Sequence, residues 1–253
     1  MGEASSRAAH GRAPRGTIAR VSRVGLGCMR LSTDEDRDEV RARATLAAAL
    51  DGGVRWIDTA RAYGRDASEL GHNERLVAAS AAPREGVRIV TKCGMARPEG
   101  RWEPDGRAAA VLAGARASAR DLGRPPDVLL LHAPDPRVPL ATSVRALLRA
   151  REEGHARGIG LSNVSRGQLE ALGDDVEIAA VQVALGASDD AAARGGVLSW
   201  CRERDVTVLA HTPLGGPKRA GRLARDPALL AVAGRHRGAT PTRGTTRGSS
   251  ARR

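Results

Sequence analysis

Four side chains of different chemistry stand at or just past the ends of apolar runs: a carboxylate at Asp58, a phenol at Tyr63, an ammonium at Lys92 and an imidazole at His132. Asp58 closes the run 54–58 with Tyr63 five residues on, Lys92 closes 87–92, and His132 closes 127–132. If these ends share one rim, the four groups converge. An ammonium held by Asp58 would then lower the Tyr63 pKa from about 10 and make the phenol a better proton donor. Taken singly, each residue also has a plainer reading. Asp58 can be a turn or cap residue, Lys92 a strand-end side chain with a buried stem, and His132 a satisfied core histidine. Scarcity argues for the joint reading. The chain of 253 residues has no Phe, one Tyr and 41 basic residues, and among those only Lys92 and Lys218 are lysines. The sole phenol and one of two ammonium groups fall in register with Asp and His.

The elements that must position them recur along the chain. Short β-branched or Leu-rich runs span 23–26, 54–58, 87–92, 127–132, 158–162, 178–183 and 206–211, with starts about 20 to 40 residues apart, the length of a strand plus a crossover helix. Segments 45–50, 108–122, 143–153 and 195–204 between them carry apolar residues at helical spacing. Runs such as Val128-Leu-Leu-Leu131 suit strands buried on both faces, as in a parallel sheet. The class is α/β. Polar residues recur at the ends of many different strands: Asp58, Lys92, His132, Ser162 with Asn163, Gln182, and His211 with Thr212. That is the layout of a barrel with its site on one rim; an open doubly wound sheet would gather its chemistry at one switch point.

These residues resemble the aldo-keto reductase family, in which Asp, Tyr, Lys and His sit at the mouth of a TIM-type (β/α)8 barrel that binds NADPH. The likeness continues through Gly25-Leu-Gly-Cys-Met29, Gly160-Leu-Ser-Asn-Val164, Val181-Gln-Val183 and His211-Thr-Pro-Leu-Gly-Gly216, over roughly residues 18–240. It implies NADPH-dependent reduction of an aldehyde or ketone to the alcohol. Tyr63 would be the general acid, Lys92 paired with Asp58 would tune it, and His132 would orient the carbonyl. Ser162, Asn163 and Gln182 match the holders of the nicotinamide carboxamide, Thr212 and Leu214 the loop against the pyrophosphate, and Gly27, Cys28, Met29, Asp58 and His211 complete the cofactor set. Trp102, in the loop 97–104, is open to a pocket role; Trp56 and Trp200 read as packing residues.

The sequence departs from the family in two places. His211 stands where the family commonly has a tyrosine that stacks on the nicotinamide, so a smaller ring would hold the cofactor less firmly. Beyond Gly216, 229–238 starts like the next helix, but 242–253 is Arg, Gly, Ser and Thr with no apolar run, so no eighth strand or 2′-phosphate loop can be written from it. The expectations are an incomplete barrel with open edges at strands one and seven and weak NADPH affinity. The low-complexity end reads either as a solvated, disordered tail or, more sharply, as a reading frame that shifts near Arg237, with a genuine truncated paralogue as the alternative to a frameshift. A barrel that binds nucleotide without turnover is the alternative function.

The net charge of +12 does not point to a nucleic acid. Residues 1–23 hold five Arg and one Glu, and residues 235–253 six Arg and no acid, which leaves only +2 for everything between. A nucleic-acid face would carry its charge on the fold with stacking aromatics. The chain thus divides into a basic extension (1–17), a barrel (18–240) and an Arg/Gly/Ser/Thr-rich tail (241–253). Cys28, Cys93 and Cys201 lack disulfide or zinc-ligand spacing, and no apolar run reaches the roughly 18 residues of a membrane span. A cytoplasmic, soluble protein acting on a small carbonyl compound, with no metal, is the expectation.

Overall fold

The computed structural model describes residues 24–81, 84–186 and 189–235. The expected basic extension and Arg-rich tail lie outside the described residues, as do Arg237 and the segment from which an eighth strand was sought.

Seven strands form one sheet: β1 (Gly25–Gly27), β2 (Trp56–Asp58), β3 (Arg88–Cys93), β4 (Val128–Leu131), β5 (Ile159–Ser162), β6 (Ala180–Ala184) and β7 (Thr207–His211). Each falls on one of the predicted runs. They lie side by side in chain order, every neighbouring pair parallel. Sequential order with helical crossovers is the barrel solution rather than the doubly wound one. One hydrogen bond shows that the sheet is curled. Gln182 Nε2 on β6 lies 3.0 Å from Asp58 Oδ1 on β2, whereas four strand spacings of a flat sheet would separate them by about 19 Å. The fold is a TIM-type α/β barrel of seven strands among the described residues, nearly closed.

The helices are α1 (Arg30–Thr33), α2 (Glu39–Asp51), α3 (His72–Ala81), α4 (Ala108–Leu122), α5 (Leu140–Glu152), α6 (Arg166–Glu170), α7 (Ala191–Arg194), α8 (Val197–Glu203), α9 (Pro217–Leu223) and α10 (Pro227–Gly234). Asp38 caps α2 through the Arg41 amide, and α4 stops at Gly123 in the left-handed region. A two-stranded ribbon, Met95–Ala96 against Glu103–Pro104, follows β3 and was not foreseen.

Apolar residues divide between the two sides of the sheet. Outward residues pack with the helices, as Leu129, Leu131 and Val181 do with Val111, Leu147 and Trp200. Inward, Val90, Val128, Leu130 and Ala180 form a small buried layer with Trp56 and Leu209 against it. Gly160 belongs to this layer because nothing larger fits: a Cβ there would lie 2.1 Å from Ala180 O and 2.6 Å from Leu130 Cδ2. This layer is the floor of the site, and the polar strand ends stand above it. All three cysteines are buried and free.

Candidate active site

Lys92 joins the deep part of the site together. Its side chain is 2 % exposed, and Nζ donates to Asp58 Oδ1 at 2.7 Å, to Thr59 O at 2.9 Å and to Tyr63 OH at 3.1 Å. Three acceptors satisfy its three donors, which is what an ammonium out of water requires. Gln182 donates to the same Asp58 oxygen, so a continuous string runs Gln182–Asp58–Lys92–Tyr63 across the barrel.

Burial alone would disfavour the Lys92 ammonium, but the Asp58 charge and the Tyr63 contact outweigh it and push the pKa above its ordinary value. Tyr63 is 6 % exposed. Burial raises its pKa and outweighs the opposing Lys92 charge. The expectation of a lowered Tyr63 pKa is therefore corrected: desolvation of the phenolate exceeds what one cation returns, and Tyr63 stands protonated.

His132 lies just past β4, its ring 5.7 Å from that of Tyr63 at 79°. Burial, then the Lys92 charge, lowers its pKa to about 3, so the imidazole is neutral. Its Nδ1 is buried without a hydrogen-bond partner among the described residues. A buried, unpaired polar atom is costly, and the ring that carries it packs edge-on to Tyr63.

A second string crosses nearer the surface. Asn163 Nδ2 donates to His132 O at 2.9 Å and to Ser162 Oγ at 3.1 Å. Asn163 Oδ1 lies 3.0 Å from His211 Nε2, and His211 Nδ1 lies 2.8 Å from Thr212 Oγ1. Asn163 (φ 58°) and Thr212 (φ 53°) are both left-handed. Asn tolerates this; a β-branched Thr does so at a cost of about 1–3 kcal/mol.

The structure brings Asp58, Tyr63, Lys92, His132, Ser162, Asn163, Gln182, His211 and Thr212 to one mouth. Gly27 ends β1 exposed, and a Cβ there would meet nothing within 4 Å. Met29 is also exposed and Leu214 half-buried in the turn after Thr212. Cys28 differs: its side chain is fully buried, packed in an apolar cluster with Ile57 and Leu46, and its amide is spent on Asp58 O at 2.8 Å.

Sequence reasoning left Trp102 open and passed over Arg97. Trp102 stands edge-on to Tyr63 at 6.1 Å and to His132 at 5.8 Å, 44 % exposed, so it walls the site. The buried Arg97 guanidinium lies 3.7 Å from the Trp102 ring centre and donates to Gly100 O, Ala62 O and Arg65 O. It thereby ties the ribbon loop to the loop that carries Tyr63. Helix α3 also escaped notice. Its Asn73 bridges Cys28 O, Ser32 Oγ and Thr59 Oγ1, and its Glu74 accepts from Thr91 Oγ1 at 2.6 Å, bracing the ends of β1, β2 and β3 from outside.

Comparison with known proteins agrees with this geometry. The model of the aldo/keto reductase family matches residues 23–237. A 6-dehydroglucose reductase of Agrobacterium fabrum is 30 % identical over 207 residues, covering 78 % of this chain and 69 % of that protein. An aldo-keto reductase of Mycobacterium avium is 33 % identical over 227 residues, covering 88 % and 70 %. Among solved structures, a glycerol dehydrogenase of Gluconobacter oxydans superposes with a TM-score of 0.73 at 25 % identity, over 91 % of this chain and 79 % of that one. An aldo-keto reductase of Klebsiella pneumoniae in complex with NADPH does so at 0.69 and 26 %, over 86 % and 72 %. With a family match over most of its length and the strand-end polar groups gathered at one mouth, the chain belongs to the aldo/keto reductase family of oxidoreductases.

Proposed function

We propose that this chain reduces the carbonyl group of a small aldehyde or ketone with NADPH, and that Tyr63 supplies the proton. The observation that carries the reading is Lys92 Nζ placed between Asp58 and the Tyr63 hydroxyl, beside a neutral His132 whose Nδ1 has no partner among the described residues. The residues present fit a nicotinamide. Ser162 and Gln182 offer buried amide and hydroxyl groups at the mouth, and Gly27 leaves space on the opposite strand. The Klebsiella relative binds NADPH, and the names of others, a 6-dehydroglucose reductase and a glycerol dehydrogenase, point to small oxygenated substrates.

When bound, the nicotinamide supplies hydride to the carbonyl carbon. The rest is done by side chains of this chain. His132 donates a hydrogen bond to the carbonyl oxygen and fixes its position. Tyr63 then transfers its hydroxyl proton to that oxygen as negative charge develops, giving the alcohol and leaving a phenolate. Lys92, held charged by Asp58, stabilises that phenolate until solvent returns the proton. Trp102 limits water access on the outer side.

The test is carbonyl-dependent NADPH oxidation by Tyr63→Phe. General acid catalysis of this kind is worth about 10²–10⁴-fold, and a loss of that size is expected in protein that circular dichroism shows still folded, with a lower melt because Lys92 loses one acceptor. Activity within a few-fold of the parent would overturn the reading.

A further inference from the structure

His211 stands where the resemblance led us to expect a ring stacked on the cofactor, yet both of its nitrogens are engaged within the protein. The hydrogen-bond directions can be worked out from the one group in the string that has no choice. His132 O can only accept, so the Asn163 atom 2.9 Å from it is the amide nitrogen, and Asn163 Oδ1 must face His211. An oxygen there needs a donor, which puts the imidazole proton on Nε2. Burial, followed by the Lys92 charge, holds the His211 pKa below its ordinary value and keeps the ring neutral. Nδ1 is then an acceptor, and Thr212 Oγ1 donates to it.

Asn163 thereby has no donor left: both amide protons go to His132 O and Ser162 Oγ, and its oxygen accepts from His211. Ser162 keeps its own hydroxyl proton to give. Gln182, one of whose two Nε2 protons goes to Asp58, keeps Oε1 to accept. Those two groups, one donor and one acceptor, match a carboxamide.

We propose that His211 is a positioning residue that locks the Asn163 side chain as a strut across the mouth, leaving Ser162 and Gln182 to meet the nicotinamide carboxamide. This rests on the proposed function for its ligand but not for the lock itself, so two measurements separate them. In nucleotide-free protein, long-range ¹⁵N–¹H correlation should show His211, identified by its absence from His211→Gln, as the Nε2–H tautomer. An Nδ1–H tautomer or an averaged mixture would overturn the lock. NADPH titrations of parent, His211→Phe and His211→Gln then test its purpose. Phe keeps a flat ring without a donor and should bind about tenfold more weakly, while Gln can still donate to Asn163 and should stay within about twofold. On the His211→Phe background, Asn163→Ala should weaken binding no further. Tight binding by His211→Phe would show a stacking ring instead and overturn the proposal. If the parent binds no NADPH, the functional reading fails, and the tautomer still decides the lock.

Discussion

Two polar strings cross the same barrel mouth, and they are held by opposite means. The deep one, Gln182–Asp58–Lys92–Tyr63, is charged and mostly buried, and every donor of its central ammonium has an acceptor within 3.1 Å. The shallow one, His132 O–Asn163–His211–Thr212, is neutral and half-exposed, and two of its members sit in left-handed backbone. A charge removed from water fixes its neighbours, because few other arrangements can satisfy it. A neutral string at the rim competes with solvent and must be aimed by the backbone. The contrast follows the sheet: β4, β5 and most of β6 are buried, whereas β7 is half-exposed along its length with Ala210 open.

The sharpest way to break this contrast is to remove one link from each string. Lys92→Met keeps the buried stem but leaves Asp58 facing Gln182 alone, and it should cost about 3 kcal/mol of unfolding free energy, the low end for a broken buried pair because Asp58 is a quarter exposed. Asn163→Ala loses neutral hydrogen bonds at the rim and should cost about 1 kcal/mol. Urea unfolding at pH 7 measures both. Equal costs would mean that the deep string is no more constrained than the shallow one.

His132 joins the strings, giving its carbonyl to one and its ring to the other. Its folded pKa of about 3 lies below the ordinary 6.5, so the folded chain binds fewer protons than the unfolded chain between those values. The stability it contributes is fully present above pH 6.5 and is lost as pH falls towards 3. The slope is at most about 1.4 kcal/mol per pH unit, or about 2 kcal/mol between pH 6.5 and 5. The parent should lose that much more than His132→Asn across this interval, where the Arg37-paired Glu69, with a pKa of about 2, stays ionised in the fold. Parallel losses would show that the His132 ring is not desolvated.

How much of this could be read beforehand follows from what each residue competes against. The seven strands were legible because uninterrupted apolar runs have few other uses, and α4 was legible to the residue. Helix α3 was not, because two of its five buried positions are Asn73 and Glu74, polar braces that interrupt the apolar spacing of Leu76, Val77 and Ala81. Lys92 and Tyr63 stood out as rare residues. Arg97 did not, although it holds Trp102 and the Tyr63 loop, because in a chain so rich in arginine one more carries no signal. The lowered Tyr63 pKa failed for a related reason: charges are visible in a sequence, while burial, which here outweighs them, is a property of the fold. The direction of the His211 ring was equally hidden, since it depends on a carbonyl at residue 132.

The smallest predicted effect bears on the backbone side of the contrast. Thr212 adopts φ 53° with a branched Cβ, exposed, while its hydroxyl reaches His211 Nδ1. Thr212→Ser keeps the hydroxyl and removes the methyl that crowds the left-handed backbone, and an exposed methyl contributes little burial to lose. A gain of about 0.5 kcal/mol in unfolding free energy is therefore expected, with the His211 tautomer unchanged. A loss instead would mean that the methyl, not the hydroxyl, holds this turn. The shallow string would then be anchored by packing, as the deep one is by charge, and the backbone would not be what aims it.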